Sequence, residues 1–190
     1  KNNLTTFWII KYYLATVPNG KEKSLFLYVF NQSDDDKNKF SLLGKFIEKG
    51  LDPTAKYVHN ETSGNTALHL LAQIHPYHTQ KYSLIEKYLQ NIGRKFANNP
   101  IDKNAALNTK NSEGNTALHY FLYNSITIKH LYIPFEKISI LPLLLSSGFD
   151  QTIRNKNSEN ALDIVTQNNY PVKYTEYNSN IYQILIYRIE

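Results

Sequence analysis

The sequence predicts an all-α fold built from stacked copies of one helical unit. The six-residue phrase Gly-Asn-Thr-Ala-Leu-His occurs at residues 64–69 and again at residues 114–119. A degraded copy, Glu-Asn-Ala-Leu-Asp-Ile, follows at residues 159–164. Because internal repetition is the signature of repeat architectures, we expect each copy to open one unit of a stacked array.

Each full copy of the phrase has the chemistry of a helix start. Thr66 and Thr116 are favourable N-cap residues, because a hydroxyl can accept a hydrogen bond from an amide of the first turn. Gly64 and Gly114 lie where a tight turn needs positive φ. The leucine after each Thr-Ala pair is followed three residues later by another apolar residue, which predicts a buried helical face.

The remaining helices follow from alignment. Residues 24–31 align with residues 117–124 and predict one more first helix. Residues 40–47 align with residues 82–89, and the apolar pattern of residues 139–150 follows that of residues 41–52, which predicts three second helices. Glycines at positions 50 and 148 occupy the usual C-cap place just past a last turn.

The repeated phrase resembles the Thr-Pro-Leu-His signature of an ankyrin repeat, with alanine in the proline position. The segments at residues 106–114 and 148–157 resemble the loops between ankyrin repeats. Similarity to the ankyrin-repeat family covers roughly residues 21–190. It implies a single domain, residues 1–190, that is an all-α solenoid of about four helix pairs with elongated connectors. The implied parts are an N-terminal helical cap at residues 1–19 and repeats at about residues 20–52, 53–105, 106–150 and 151–190.

The spacing of the units departs from that family. The anchor leucines Leu25, Leu68, Leu118 and Leu162 are separated by 43, 50 and 44 residues, whereas the ankyrin period is about 33. The excess lies at residues 32–39, 74–81, 92–105 and 125–136. We expect these insertions to be loops on one edge of the array. Another kind of α-solenoid with long connectors stays open.

Composition and motifs argue against catalysis and metal binding by this chain. The sequence has no cysteine, which excludes disulfides, thiolate nucleophiles and cysteine zinc sites. It contains no nucleophile motif, phosphate-binding glycine loop or HExxH pattern. His75 and His78 flank Pro76 without a partner ligand, and Asp34–Asp36 suit a solvated connector. We therefore predict no enzyme activity, no catalytic residue, no cofactor and no metal.

Charge and hydropathy limit the kinds of partner that we expect. The net charge is +5, but the lysines are scattered among acidic residues, so we do not expect nucleic-acid binding. The apolar run Leu4–Val17 is too short to span a membrane and is interrupted by Lys11. We expect a buried capping helix there, with membrane-surface association through Trp8 as the alternative. We expect a monomer in the cytoplasm.

The family resemblance implies that a partner protein docks on the concave face and the loop tips. The signature histidines His69 and His119 are implied to tie one repeat to the next, and Asp163 replaces them in the last repeat. Tyr120 and Tyr123 are the predicted anchors, because tyrosine offers a large, rigid contact area. Packing of Tyr123 against the connector after it is the alternative. The other predicted contact residues are Leu27, Leu70, Gln73, Asn124 and Ile164 on helices and His59, Glu61, Lys110 and Lys156 at loop tips.

The biological setting is predicted from composition and resemblance. Richness in lysine, asparagine, isoleucine, tyrosine and phenylalanine is typical of AT-rich genomes. With the ankyrin resemblance, this favours a secreted bacterial effector that binds a host protein in the host cytosol. The alternative is an accessory domain that positions the substrate of a larger enzyme. Because the chain starts at Lys1 and has no methionine, we expect it to be part of a longer protein.

Overall fold

The computed structural model describes residues 22–32, 38–57, 64–74, 78, 80–126 and 140–167. In these residues the chain forms eight α-helices and two short strands. The helices are α1 (Glu22–Phe30), α2 (Lys39–Glu48), α3 (Ala67–Gln73), α4 (Gln80–Lys95), α5 (Pro100–Leu107), α6 (Ala117–Ile126), α7 (Ile140–Ser147) and α8 (Ala161–Gln167). The all-α prediction is confirmed at the level of secondary structure. The ankyrin form of the solenoid stays a prediction.

Several predictions fall on residues outside the described part of the chain. They are the cap at residues 1–19, Asp34–Asp36, the loop tips His59 and Glu61, His75, most of the connector at residues 125–136 and the second helix of the fourth unit.

The described helices pack in two sets. Helices that open a unit pack on one another in chain order, α3 against α6 and α6 against α8. The second helix of one unit packs on that of the next, α2 against α4. Within a unit α1 contacts α2, and α3 contacts α4. Stacking of neighbouring units therefore buries the apolar faces that the sequence pattern predicts.

One two-stranded hairpin precedes α3. The strands β1 (Lys56–Tyr57) and β2 (Asn65–Thr66) are antiparallel, with Lys56 opposite Thr66 and Tyr57 opposite Asn65. Thr66 thus ends the hairpin and begins the helix. The strand β2 therefore leads directly into α3.

The anchor leucines differ with their place along the array. Leu68 is 2% exposed and Leu118 is 1% exposed, so both lie in the core. Leu25 and Leu162, in the first and last described units, are only partly buried and pack against its edge. The anchor leucines of the two middle units are therefore more completely buried than those of the first and last described units.

The insertion at residues 92–105 is helical, so the prediction of a loop there is wrong. The helix α4 continues to Lys95, and α5 begins at Pro100. Asn99 caps α5 by accepting a hydrogen bond from the Asp102 amide at 3.1 Å. Proline at the first helical position and an acidic residue in the first turn both favour a helix start.

Two buried lysines donate hydrogen bonds to backbone carbonyls at or just after the end of a first helix. Lys81 is 1% exposed, and its Nζ donates to the carbonyl oxygens of Ala72 at 2.8 Å and Ile74 at 2.6 Å, at the end of α3. Lys39 begins α2 at the aligned position, is 4% exposed and donates to the Gln32 carbonyl at 2.8 Å. A lysine at the start of a second helix therefore satisfies carbonyls that the preceding helix leaves unpaired.

Candidate partner-binding face

The repeated Thr-Ala-Leu-His segment builds the same helix cap twice. The Thr66 amide donates to His69 Nδ1 at 3.1 Å, and the hydroxyl of Thr66 lies 2.8 Å from the same nitrogen. In the next unit the Thr116 amide donates to His119 Nδ1 at 3.2 Å, with the hydroxyl again at 2.8 Å. The histidine thereby takes the part of the third residue of a capping box.

The second nitrogen of each histidine reaches the following unit. His69 Nε2 lies 2.9 Å from the Asn115 carbonyl oxygen, and His119 Nε2 lies 3.0 Å from that of Glu159. Since Nδ1 accepts and the carbonyl needs a donor, the proton belongs on Nε2. Burial lowers the pKa of His69 from 6.5 to about 4 and also lowers the pKa of His119. The predicted tie between units is confirmed at both histidines.

In the last described unit Asp163 caps its own helix, as the histidines do, but its carboxylate pairs within its own unit. The Asn160 amide donates to the Asp163 carboxylate at 3.0 Å, and the Asp163 amide donates to the Asn160 side-chain oxygen at 2.9 Å. The same carboxylate pairs with Arg154 at 2.6 Å. A shorter acidic side chain therefore turns back toward its own loop at this end of the described array.

Asparagine side chains organise the loop before α6. The side-chain oxygen of Asn111 accepts from the amides of Glu113 and Asn115, both at 2.9 Å. Its Nδ2 donates to the Asn65 side-chain oxygen of the preceding unit at 2.9 Å. Asn111 is 6% exposed, so these bonds form away from water.

The loop before α8 repeats this arrangement through Asn155. Its side-chain oxygen accepts from the amides of Asn157 at 2.9 Å and Glu159 at 3.0 Å. Its Nδ2 donates to the Asn115 side-chain oxygen at 2.9 Å. Together with the hydrogen bonds of the histidines, these asparagine side-chain hydrogen bonds hold each loop against the next.

The two predicted anchors of α6 contact these loops. The Tyr120 hydroxyl accepts from Asn111 Nδ2 at 3.1 Å and lies 3.5 Å from the Glu113 carboxylate. The Tyr123 hydroxyl donates to the Glu159 carboxylate at 2.7 Å and accepts from Asn155 at 3.1 Å. Both tyrosines are half-buried, so part of each ring stays accessible. We call Tyr120, Tyr123, Glu113 and Glu159 the α6 face.

Titration behaviour of the α6 face follows from these bonds. Burial, helped by the hydrogen bond to Glu159, raises the pKa of Tyr123 to about 12. Burial also raises the pKa of Tyr120. Hydrogen bonds from Asn155 and Tyr123 lower the pKa of Glu159. Near neutral pH the face therefore carries protonated tyrosines and an ionised Glu159.

Two predicted contact residues belong to the core instead. Leu70 is 5% exposed and Ile164 is 1% exposed, so neither offers its side chain to a partner. The prediction fails for them because the helix surface at this position is covered by packing in α3 and α8. Leu27 and Gln73 are half-buried.

The other predicted contact residues lie at or near the surface. Lys110 and Lys156 are exposed at loop tips, and Lys110 Nζ donates to the Arg154 carbonyl oxygen at 3.0 Å. Asn124 is half-buried and donates to the Ala72 carbonyl oxygen at 2.9 Å, which assigns it a part in capping α3. Of the predicted set, the two loop lysines are exposed, and the two tyrosines, Leu27, Gln73 and Asn124 are half-buried.

Sequence reasoning missed the two carboxylates of the α6 face. Glu113 and Glu159 stand at different positions of their loops, one before the glycine of the phrase and one after the residue that replaces it. Alignment of the copies therefore does not bring them together. The signal that could have found them is their proximity in sequence to buried loop asparagines.

The described part of the chain has neither a membrane-spanning helix nor a cluster of metal ligands. None of its helices combines the length and apolar character needed to cross a bilayer. Its histidine, aspartate and glutamate side chains form no group of three that could hold a metal ion.

Comparison with known proteins gives a likeness of fold. No protein-family model and no curated protein matches the sequence. A solved structure that matches is the crystal structure of the yeast ribosomal protein Rps3 in complex with its chaperone Yar1. The TM-score is 0.59 at 19% identity, over 91% of this chain and 95% of that chain. The match shows a shared fold. The effector, host-cell and accessory-domain predictions stay predictions.

Proposed function

We propose that this chain is a protein-interaction module of the ankyrin-repeat type, and that its partner docks on the α6 face and the loop tips beside it. The observation that carries the proposal is a difference between two groups of polar residues, those that hold the array together and those of the α6 face. Thr-His caps and loop asparagines recur from unit to unit and hold the array together. The two tyrosines of the α6 face, by contrast, lie at positions where the aligned helices α3 and α8 carry no tyrosine.

The positions aligned with the two tyrosines support this division. Tyr120 corresponds to Leu70 in α3 and to Ile164 in α8, both of which are buried. Tyr123 corresponds to Gln73 in α3. A stack of this kind therefore forms without a tyrosine at either position. Selection for partner binding accounts for the pair in α6.

The state of the tyrosines also suits recognition. Their hydroxyls are held by Asn111, Asn155 and Glu159 before any partner arrives. A side chain that is already ordered loses little rotamer entropy on binding, which favours affinity. Half-buried aromatic residues with a polar end are frequent hot spots of protein interfaces.

The fold comparison supports a protein as the class of partner. The matched crystal structure holds a chaperone together with a ribosomal protein. The sequence identity to that structure is low, 19%. We extend from it only the class of ligand, a folded or extended polypeptide.

Site-specific photo-crosslinking tests the proposal. A photoreactive residue is placed at Ser112 or Asn157, which are exposed on the loops beside the α6 face. Matched controls carry it at Glu86 or Gln90, which are exposed on α4. We expect a cell lysate to give one cross-linked product with the loop variants, competed by excess unlabelled chain, and none with the α4 variants. Cross-linking from α4 alone would place the partner on the other layer.

A further inference from the structure

Two carboxylates of the α6 face are held in place by neutral donors. Glu113 Oε2 accepts from the Asn115 side-chain amide at 3.1 Å and lies 3.5 Å from the Tyr120 hydroxyl. Glu159 Oε2 accepts from the Tyr123 hydroxyl at 2.7 Å and from Asn155 Nδ2 at 2.9 Å. Each carboxylate is thus oriented through one of its oxygens.

Side-chain hydrogen bonds join the two carboxylates into one network. Asn115 donates to Glu113 and accepts from Asn155 Nδ2 at 2.9 Å. Asn155 in turn donates to Glu159. The negative charge of Glu113 acts on Tyr123 as well, raising the pKa of its hydroxyl. The two acidic groups therefore belong to one surface between two loops.

Within the described residues neither carboxylate has a cationic partner. Lys110 donates to the Arg154 carbonyl oxygen, and Arg154 pairs with Asp163. Lys156, whose backbone amide donates to the Glu113 carbonyl oxygen at 3.0 Å, forms no ion pair with either carboxylate in the described residues. The second oxygen, Oε1, of Glu113 and of Glu159 accepts no hydrogen bond from a described residue. Other carboxylates of the chain do have cations, as Glu48 has Lys45 and Lys87.

We infer that the α6 face binds a basic segment of the partner protein, with an arginine or lysine side chain placed between the Glu113 and Glu159 carboxylates. The inference rests on the proposed function and adds the chemistry of the partner. The Oε1 atoms accept charge-assisted hydrogen bonds from the cation, and the accessible parts of the tyrosine rings pack against it. Fixed carboxylates lose little freedom when the cation arrives.

Because of the overall charge of the chain, a preference for a basic peptide distinguishes local binding from non-specific attraction. The net charge is +5, so the long-range field attracts anions and repels cations. Non-specific electrostatic binding would therefore favour an acidic peptide. Preference for a basic peptide has to come from a local arrangement of carboxylates.

Peptide binding measured by fluorescence anisotropy tests the inference. The probes are two labelled peptides of equal length that differ only in carrying arginine or glutamate at alternate positions. We expect the full chain to bind the arginine peptide and not the glutamate peptide. The Glu113→Gln/Glu159→Gln variant keeps side-chain size and removes both charges. We expect it to weaken binding roughly tenfold or more, which equals the loss of about one charge-assisted hydrogen bond.

The control variant is Glu86→Gln, which removes an exposed carboxylate from α4 and should leave binding unchanged. If the double variant fails to fold, Glu113→Gln alone tests the same surface, because Glu113 is exposed. Stronger binding of the glutamate peptide, or equal arginine-peptide affinity in the double variant, overturns the inference. So does an equal loss in Glu86→Gln. A partner that cross-links through Ser112 but is not displaced by arginine peptide overturns the inference and leaves the docking proposal in place.

Discussion

Lys81 shows how one side chain can end one helix while beginning another. It lies in the first turn of α4, and its ammonium group reaches two carbonyl oxygens at the end of α3. The ring of Phe121 in α6 adds a cation–π contact at 5.5 Å. Three helices therefore meet at one buried charge.

Replacing Lys81 with methionine should cost about 1–3 kcal/mol of unfolding free energy, the penalty of an unsatisfied buried polar group. The Ala72 carbonyl keeps the Asn124 amide at 2.9 Å, whereas the Ile74 carbonyl loses its lysine donor. Urea denaturation of the full chain measures the change. Lys49→Met, at an exposed lysine, is the control and should stay within about 0.5 kcal/mol of the wild type. Equal stability of the two variants would show that Lys81 contributes no net capping.

At the scale of helices and loops, α6 couples its neighbours on both sides. It packs on α3 and on α8, and Leu118 is 1% exposed at its centre. Leu118→Ala should cost about 2–5 kcal/mol, the range for cavities in well-packed cores. Hydrogen exchange should speed up in α3 and α8 as well, because each unit contacts its neighbours. A small loss with unchanged exchange in α3 and α8 would contradict this coupling.

The turn before α6 depends on Gly114 for two reasons. Its φ is +77°, and a Cβ there would lie 3.0 Å from the Lys156 amide nitrogen in the next loop. Gly114→Ala should therefore cost about 1–3 kcal/mol in backbone strain alone. Ser158, with φ 64°, fills the matching place before α8, so the crowding by the following loop is what sets Gly114 apart.

Gly93→Ala is the matched control for Gly114→Ala. Gly93 lies inside α4, and a Cβ there would meet nothing within 4 Å. Alanine should stabilise this helix by roughly 0.5–1 kcal/mol. Thermal unfolding of both variants gives the comparison. Losses of the same sign and size would mean that Gly114 is no special turn residue.

For the molecule as a whole, the sequence predicts where helices begin better than it predicts which side chains are exposed. Thr66 and His69 cap their own helix, so the phrase contains the information. The helix at residues 100–107 was missed although Asn99, Pro100 and Asp102 carry a start signal. Burial of Leu70 and the long-range bonds of Lys81 depend on which helices pack together. Alignment of copies cannot supply that packing.

Stability of the whole chain should rise with pH in two separate ranges. Burial lowers the pKa of His69 from 6.5 to about 4, so its contribution is present above pH 6.5 and is lost as the pH falls to about 4. His119 shifts in the same direction. Burial lowers the pKa of Lys81 from 10.5 to about 7. Its contribution is complete above pH 10.5 and is lost as the pH falls to about 7.

Urea denaturation at a series of pH values separates these two ranges, because buried histidines titrate in the lower range and Lys81 titrates in the upper one. The His69→Asn variant should reduce the rise in stability between pH 4 and 6.5, to which His119 still contributes, and leave the upper range intact. Lys81→Met should do the reverse above pH 7. Tyrosines with raised pKa values, such as Tyr123, act oppositely only above pH 10, where the unfolded chain ionises first. A wild-type profile that falls between pH 7 and 10, or two variants with the same profile, would contradict this assignment.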